Sequence, residues 1–557
     1  MPELLTRHTA FYAVIAGTIV FTALGLGHHS AWLLAAVVCL GLTALGVYDL
    51  TQTRHAIRRN YPVIGNLRYF FESIRPEIRQ YFIEDDKNEL PFSRAKRSLV
   101  YQRAKNVIDK RPFGTQYDVY GNNYEWINHS MSPITLKEHN FRITVGGPDC
   151  RQPYSLSVFN ISAMSFGALS ANAISALNKG AHLGGFAHDT GEGGISLYHL
   201  EHGGDLIWNI GSGYFGCRDA DGNFSPDEFA KRAAHDNVKM IEIKLSQGAK
   251  PGHGGILPGS KVTPEIARAR GVPVGKDCDS PNRHSAFGTP IELLQFVAQL
   301  RELSGGKPVG FKLCIGHPWE WFGIAKAMLE TGITPDFIVV DGAEGGTGAA
   351  PIEFIDHVGT PLREALRLVH NTLVGIGLRD KIKLGASGRI ISAFDMTRIM
   401  ALGADWCNSA RGFMFAVGCI QAQACHTGAC PTGVATQDPK RQKALVVSDK
   451  SVRVANFHEN TLRALAELLG AAGLQHPEQL RPHHIARRIS SDEVRVLSAL
   501  FPDLEPGEIL QGKFRQTIFR VAWPMAQANS FEPAYSLSAA LSGHAVVSEA
   551  PEAAQAG

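Results

Sequence analysis

Residues 308–341 read PVGFKLCIGHPWEWFGIAKAMLETGITPDFIVVD and contain two short apolar runs separated by a longer helical segment. The runs, 308–315 and 336–341, have the length and the β-branched content of buried strands, and both are followed by glycine-containing loops. A strand, a crossover helix and a second strand form a unit in which the two strands pair in parallel. This segment therefore predicts a parallel sheet covered by helices.

The same strand–loop–helix unit recurs on both sides of this segment. Together with the two runs above, the candidate strands are 156–165, 184–190, 206–211, 238–245, 308–315, 336–341, 382–386 and 405–410. These eight units span about 260 residues, the size of a (β/α)8 barrel, in which the chemistry lies at the carboxyl ends of the strands. A doubly wound open sheet is the alternative, but no G-x-G-x-x-G opens the first unit.

The composition excludes several classes of protein. The chain has 557 residues, 55 Lys and Arg against 52 Asp and Glu, and 44% hydrophobic residues. This near-neutral globular composition argues against collagen-like and disordered classes and lacks the basic field of a nucleic-acid-binding protein, so no nucleic-acid partner is expected. The nine cysteines, three of them between positions 419 and 430, indicate a reducing compartment and a metal rather than a disulfide framework.

The N-terminal residues predict a transmembrane hairpin. Ala10–Gly27 and Ala31–Tyr48 are uncharged apolar runs of 18 residues, each just long enough to cross a bilayer. Arg7 precedes the pair and Arg54 follows it, with further arginines behind, so the positive-inside rule places both ends on the cytoplasmic side. We therefore expect a multi-pass protein of the cytoplasmic membrane whose catalytic domain faces the cytoplasm. A signal peptide followed by a buried helix is the alternative, which the second run disfavours.

Changes in composition divide the rest of the chain. After the hairpin, arginines alternate with aromatic residues between positions 68 and 82, which suits either a membrane-surface helix or a packing linker. The segment 452–474 has the apolar spacing of an amphipathic helix, with Gly473 near its end. The predicted regions are a hairpin (1–52), a basic, aromatic juxtamembrane linker and barrel-capping region (53–150), the barrel (151–475), a C-terminal helical extension (476–541) and a disordered tail (542–557).

The strongest chemical signal is residues 418–431, GCIQAQACHTGACP. Cys419, Cys425 and Cys430 have C-x5-C-x4-C spacing, and a proline follows the last cysteine, as in ferredoxin loops. Three thiolates on one loop fit a three-iron cluster best. A zinc site completed by His426 is disfavoured because that histidine adjoins Cys425, and three structural cysteines are the remaining alternative.

Glycine-rich loops follow the late strands. They are 341–351 (DGAEGGTGAAP), 385–390 (GASGRI) and 410–412 (ARG). In barrels the loops after the seventh and eighth strands bind phosphate through backbone N–H groups. Arg389 and Arg411 add positive charge there, so these loops predict a phosphate site, with ordinary tight turns as the alternative.

A lysine inside an apolar strand indicates an anion nearby. Lys312 lies in GFKLCIG, and a buried lysine needs a partner. We expect it to reach a phosphate, a carboxylate or the N1/O2 edge of a reduced flavin, whose negative charge it would stabilise. A lysine that extends out of the strand end into solvent is the alternative.

The densest polar loop, KLSQGAKPGHGGILPGSK (244–261), follows the fourth strand. Lys244, Gln247 and Lys250 are spaced to converge on a dicarboxylate, and the glycines allow the backbone to approach it. Across the mouth, the loop after the second strand offers Asp189 and Glu192. Two lysines and an acid predict a pocket for an anion that reacts at nitrogen, and a solvated surface turn is the alternative.

Taken together, these motifs resemble the FMN and iron–sulfur synthase domain of the glutamate synthase large-subunit family. The resemblance covers roughly residues 150–475 and rests on five segments, which are SAMSFGALS (162–170), DTGEGG (189–194), KLSQGAKPGHGG (244–255), DGAEGGTGAAP (341–351) and GCIQAQACHTGACPTGVATQDP (418–439). Of these, the cysteine segment is the most specific.

The resemblance implies a (β/α)8 TIM barrel with bound FMN and a [3Fe-4S] cluster on the three cysteines. In that family, reduced flavin delivers a hydride to 2-iminoglutarate, formed from 2-oxoglutarate and ammonia. Carried over by position, the substrate pocket contains Glu192, Lys244, Gln247 and Lys250, and the FMN-contacting segments contain Ser165, Lys312, Gly345, Gly346, Thr347, Gly388, Arg389 and Arg411.

Two departures from the family shape the functional hypothesis. The chain begins with the apolar hairpin instead of a glutaminase domain, so we expect a separate glutaminase or electron-donor subunit. Ile256 stands where the family has a glutamine that contacts substrate, which leaves the substrate open between 2-iminoglutarate and a related imine of a 2-oxo acid. The alternatives are a membrane electron-transfer subunit and another FMN barrel, such as a 2-hydroxy-acid oxidase or a nucleotide dehydrogenase.

Overall fold

The computed structural model describes residues 7–88 and 90–541. The chain divides into two compact units, Met1–Glu89 and Leu90–Gly557. The region expected to run from 53 to 150 is thus divided between the two units. The tail predicted for 542–557 lies outside the described residues.

The larger unit is built around a closed barrel of eight parallel strands, which confirms the barrel and excludes the open sheet. Each strand pairs with the next along the chain, and the last pairs with the first. All eight predicted strands are present, although several are shorter than their apolar runs. We number them β1 Phe159–Ile161, β2 His188–Asp189, β3 Leu206–Ile210, β4 Val238–Lys244, β5 Val309–Leu313, β6 Phe337–Asp341, β7 Lys383–Ser387 and β8 Trp406–Ser409.

Helices surround the barrel, and local sequence sets their ends. Ser170 and Thr289 accept N-terminal backbone hydrogen bonds, and Gly332 ends a helix with a positive φ of 71°. The helices of this unit are Arg94–Ala104, Ala171–Gly184, Leu197–Leu200, Pro226–Ala233, Pro264–Arg270, Pro290–Leu303, Pro318–Thr331, Ile352–His357, Leu362–Gly375, Ala393–Ala401, Arg411–Val417, Pro439–Lys443, Val447–Ala471, Leu497–Leu500, Thr517–Met525 and Leu537–Leu541. The helix predicted at 452–474 is thus confirmed, but it begins and ends earlier.

Short antiparallel strands complete this unit. Arg142–Val145 pairs with Tyr154–Ser157, and Gly255–Leu257 pairs with Cys278–Ser280 within the loop after β4. The segment predicted to be a helical extension also contributes strands, because Ile485–Arg488 pairs with both Glu125–Ile127 and Val494–Val496. The buried Glu125 carboxylate bridges three arginines, Arg363, Arg398 and Arg487, and so ties this small sheet to the outer helices.

The N-terminal unit begins with two antiparallel helices, Thr9–Gly27 and Trp32–Thr51, which are long and apolar enough to cross a membrane. They pack against each other through stacked rings of Phe21 and Trp32, whose centroids are 5.5 Å apart. Three further elements follow, Ala56–Asn60, Gly65–Ile78 and a π-helical turn Arg79–Ile83.

Candidate active site at the barrel mouth

The loops after β2 and β4 meet at the carboxyl end of the barrel. Lys244 Nζ lies 2.7 Å from Glu192 Oε1, and both side chains are mostly buried. Gln247 and Lys250 line the same small cavity, together with Ser212 and Asn282 from neighbouring loops. The structure therefore brings together all four residues that the sequence assigned to a substrate pocket. Their roles in a reaction remain predictions.

The electrostatics of this cavity favour an anionic ligand. Burial alone would raise the pKa of Glu192, but the ammonium groups of Lys244 and Lys250 lower it to about 2. Glu192 is therefore a carboxylate at neutral pH. Burial and the charge of Lys244 lower the pKa of Lys250, and no carboxylate of the described chain forms an ion pair with it. Lys250 is thus a cation left free to bind an added anion.

Lys312 lies deeper, inside the barrel, as its apolar strand indicated. Its Nζ is 3.2 Å from Glu242 Oε1, and both residues are buried. Burial alone would lower the pKa of Lys312, but the negative charge of Glu242 raises it above its ordinary value. Sequence reasoning missed Glu242, although an acid in the apolar strand VKMIEIK was a signal for the partner that a buried lysine requires.

Asp189 does not lie beside Glu192 in the pocket, contrary to the sequence prediction. It is 1% exposed and lies beside Glu242 and Lys312 inside the barrel. Burial and the nearby Glu242 carboxylate raise its pKa well above the ordinary value. Burial and the charge of Glu242 therefore favour the protonated form of Asp189 in this buried group with Lys312.

Two residues that sequence reasoning missed hold Lys244 in place. His284 Nε2 lies 2.8 Å from the carbonyl oxygen of Lys244, and His284 Nδ1 lies 3.0 Å from the Tyr214 hydroxyl. Since a carbonyl only accepts, Nε2 carries the proton, and Nδ1 accepts from Tyr214. Burial lowers the pKa of His284 to about 4, so the ring is neutral and this arrangement is fixed. Nothing in the local sequence indicated this link.

The loops after β6, β7 and β8 gather the residues predicted to bind phosphate. Arg411 donates from Nη2 to the Glu344 carbonyl at 2.6 Å, and a Cβ at Gly346 would lie 3.0 Å from Arg411 Nε. Gly388 and Arg389 both have positive φ, 149° and 51°. Burial and the charge of Arg389 lower the pKa of Arg411 to about 10. In the described chain neither arginine forms a direct ion pair with a carboxylate, so both can contact an added anion.

The remaining residues predicted to contact a cofactor lie at the same end of the barrel. Gly345 N donates to the Gly342 carbonyl at 2.8 Å, and Thr347 Oγ1 donates to the Ala349 carbonyl at 3.1 Å. Ser165 packs against the loop after β2, where a Cβ at Gly191 would lie 2.6 Å from Ser165 N. The glycine at 191 is therefore required for this close approach.

The cysteine loop follows the helix Arg411–Val417. Its path is set by unusual backbone conformations, since Gln421 and Gln423 both have positive φ, at 61° and 54°. Gln421 N lies 3.4 Å from Cys419 Sγ. Burial, partly offset by this N–H group, raises the pKa of Cys419 to about 12, and the charges of the other two cysteines contribute to the rise.

The pKa of Cys430 shifts in the opposite direction, below its ordinary value. Burial acts to raise its pKa, but backbone N–H groups of Ala435, Thr432 and Val434 and the Thr432 hydroxyl lower it. Such donors stabilise a thiolate. Across the described residues, however, no group of three or more His, Cys, Asp or Glu side chains is close enough to hold a metal ion. The cluster predicted on Cys419, Cys425 and Cys430 therefore remains a prediction.

Comparison with known proteins bears on the whole of this region. Residues 99–475 match the family described as a conserved region in glutamate synthase. The chain is 41% identical over 483 residues to the glutamate synthase large subunit-like protein YerD of Bacillus subtilis, covering 79% of this chain and 91% of that protein. It is 38% identical over 322 residues to an archaeal glutamate synthase [NADPH] of Methanocaldococcus jannaschii, covering 58% of this chain and 60% of that protein.

Among solved structures, a mandelate oxidase variant with an FMN adduct aligns over 77% of this chain and 99% of its own, at 15% identity and a TM-score of 0.37. At that TM-score the likeness bears on neither ligand nor reaction. The family match is of a different kind, because it spans the barrel, the polar loops of the mouth and the cysteine loop. This chain belongs to the glutamate synthase family.

Proposed function

We propose that this protein is an FMN and iron–sulfur oxidoreductase that reduces an imine of a 2-oxo acid to an amino acid, with 2-iminoglutarate as the first candidate substrate. Family membership supports the reaction class. The observation that carries the proposal is the mouth cavity, where the Lys244–Glu192 ion pair and the unpaired Lys250 lie together. A cavity with one carboxylate and an excess of positive charge suits a substrate with both carboxylate and cationic nitrogen groups.

The residues present fit FMN. Arg389 and Arg411, which are half-buried and form no ion pair with a carboxylate in the described chain, would hold the phosphate group. Lys312 would stabilise the reduced ring, with Ser165, Gly345, Gly346, Thr347 and Gly388 in the surrounding loops. When bound, FMN supplies a hydride for the reduction of a carbon–nitrogen double bond.

The chain's own side chains would bind and orient the substrate. The free Lys250 ammonium binds a substrate carboxylate, and Gln247 offers an amide beside it. Glu192 remains a carboxylate, so it accepts hydrogen bonds from the substrate nitrogen and favours its protonated form, which accepts a hydride more readily. The low pKa of Glu192 favours a role in positioning the substrate over one in donating a proton.

The cysteine loop fits a [3Fe-4S] cluster in chemistry. Its three soft sulfur donors match the three cysteine ligands that the resemblance implies, and backbone N–H groups point at Cys419 and Cys430 as they do around cluster thiolates. Cys419, Cys425 and Cys430 would hold the cluster. The partner that this proposal expects is a separate electron-donor subunit or a glutaminase subunit that supplies ammonia.

The apolar hairpin supports a location at the cytoplasmic membrane. Its two helices have the length and hydropathy of membrane spans. The arginines after the second helix favour a catalytic unit on the cytoplasmic face.

The test is spectroscopic. The detergent-purified protein should show flavin absorbance and, after oxidation, a three-iron paramagnetic signal that Cys425→Ser abolishes. Anaerobic reduction followed by 2-oxoglutarate and ammonium should reoxidise the flavin. Lys250→Gln should slow this reoxidation, whereas Lys231→Gln, at an exposed outer helix, should not. Bound flavin that does not respond to any 2-oxo acid with ammonium would overturn the proposed reaction and favour an electron-transfer role, and reduction by a 2-hydroxy acid would favour an oxidase.

A further inference from the structure

The helix Gly65–Ile78 and the π-helical turn Arg79–Ile83 carry an apolar stripe on one side. We call residues 65–83 the juxtamembrane helix. Phe70 and Phe71 are 55% and 57% exposed, and Phe82 is 85% exposed. They belong to a set of apolar residues with spacings of three, four and seven positions, which places the set on one side of the helix. The stripe consists of Leu67, Phe70, Phe71, Ile74, Ile78, Tyr81 and Phe82.

The juxtamembrane helix starts from a fixed point on the hairpin. Asp49, in the last turn of the second hairpin helix, is buried and accepts hydrogen bonds from Val63 N at 2.9 Å and Asn66 Nδ2 at 2.6 Å. Val63 has a positive φ of 69°, which is rare for a β-branched residue. A Cβ at Gly46 would lie 3.1 Å from the Val63 side chain. These contacts therefore fix the turn between the second hairpin helix and the juxtamembrane helix.

Positive charge surrounds the stripe. Residues 54–83 contain six arginines and two glutamates, a net charge of +4. Glu72 pairs with Arg68 at 3.1 Å, and the Arg58 guanidinium lies over the Tyr69 ring, 4.3 Å from its centroid. Arg75 is exposed and forms no ion pair within the described residues. Aromatic residues beside arginines, next to an apolar hairpin, match the chemistry of a bilayer surface with anionic headgroups.

We propose that the juxtamembrane helix lies in the headgroup layer of an anionic bilayer, with its apolar stripe against the acyl chains and its arginines against lipid phosphates. This inference rests on the membrane location proposed above. Continuity with the hairpin favours lipid over a second protein, because Asp49 ties the start of the helix to the end of a candidate membrane span. The excess of arginine favours anionic over neutral lipid.

Site-specific photo-crosslinking in the full chain tests this placement. The photoreactive residue p-benzoyl-phenylalanine replaces Phe70 on the stripe, Glu72 on the opposite side of the same helix, or Leu34 in the hairpin, which is 75% exposed. Each protein is reconstituted in vesicles of equal phosphatidylglycerol and phosphatidylcholine, irradiated, and analysed for lipid adducts by mass spectrometry. We expect adducts at 34 and 70 and few at 72, with phosphatidylglycerol enriched at 70. Arg75→Gln should reduce that enrichment, by up to about fivefold for one arginine at an anionic surface.

The crosslinking result at position 34 in the hairpin distinguishes failure of the membrane location from failure of the placement of the juxtamembrane helix. No lipid adduct at position 34 would overturn the membrane location itself, and this inference with it. Adducts at 34 but none at 70, or a protein adduct at 70, would leave the hairpin in the membrane and overturn only the placement of the juxtamembrane helix. Equal adduct yields at 70 and 72 would overturn the orientation of the stripe.

Discussion

Removing either acid beside Lys312 should cost little, and removing both should cost much. In the native protein Glu242 pairs with Lys312, and burial and the Glu242 charge favour the neutral form of Asp189. In Glu242→Gln, Asp189 loses its repelling neighbour and can ionise to take over as counter-ion. In Asp189→Asn, the ion pair of Lys312 with Glu242 remains. We therefore expect each single substitution to cost about 1 kcal/mol, in the range of one lost hydrogen bond.

The double variant leaves Lys312 buried without either carboxylate. Breaking a buried pair in this way costs about 3–5 kcal/mol. At about 2 °C per kcal/mol for a large domain, the single variants should lower the melting temperature by about 2 °C and the double variant by about 8 °C. Thermal unfolding followed by intrinsic fluorescence in detergent measures all three. Lys312→Met added to the double variant should recover part of the loss, because it removes the unpaired charge.

The result that refutes this reasoning is additivity. If the double variant melts where the sum of the single effects places it, Asp189 does not exchange roles with Glu242. If Glu242→Gln alone is as damaging as the double variant, Asp189 does not ionise in its absence. Additivity would mean that a further group balances Lys312, and a fully damaging Glu242→Gln would mean that Glu242 alone balances it.

Three further predictions concern the mouth of the barrel. The pKa of Glu192 is depressed to about 2 from an ordinary 4.5, so its ion pair stabilises the fold above pH 4.5 and loses that effect as the pH falls towards 2. The difference in melting temperature between the native protein and Glu192→Gln should therefore be constant from about pH 8 to 5 and shrink at lower pH. A constant difference throughout would contradict the shift. The pKa of His284 is depressed to about 4 from 6.5, so the folded state resists protonation and loses stability as the pH falls from 6.5 to 4. The melting temperature of His284→Gln should therefore depend less on pH in that window. An unchanged dependence of melting temperature on pH would count against a neutral ring. A Cβ at Gly248 would lie 1.8 Å from the Gly342 carbonyl oxygen, whereas one at Gly348 meets no atom within 4 Å. Gly248→Ala should therefore lower both the melting temperature and the flavin content, and Gly348→Ala should lower neither. Equal behaviour of the two variants would refute the close approach.

The strand pattern predicted the barrel because its signal is local. Each apolar run, such as 308–315, is short, buried on both faces and followed by a loop, and these features depend on a few adjacent residues. The strand ends were less predictable, because pairing in the closed sheet and not hydrophobicity determines them. Leu156 illustrates this, since it continues the apolar run of β1 but pairs with Ile143 in a separate hairpin.

The polar site was predictable where residues share a loop and not where they meet across the barrel. Lys244, Gln247 and Lys250 lie within seven residues, and their convergence follows from their spacing. The contact of His284 with the Lys244 carbonyl spans 40 residues, and its donor is a ring whose protonation depends on burial. Asp189 was misplaced for a similar reason, because a two-residue strand gives no alternation from which to infer the direction of its side chain.

The cysteine loop is joined to the mouth by contacts that the sequence could not indicate. Gln437 donates to the carbonyl oxygens of Gly167 and Leu169 at 3.0 Å, in the loop after β1 that contains Ser165. Lys261 Nζ donates to the His426 carbonyl at 3.0 Å, and thus links the polar loop after β4 to the middle of the cysteine motif. In the proposed function, these hydrogen bonds would hold the cysteine segment at a fixed distance from the mouth of the barrel. The sequence gives no sign of this link because the bonded residues lie far apart along the chain.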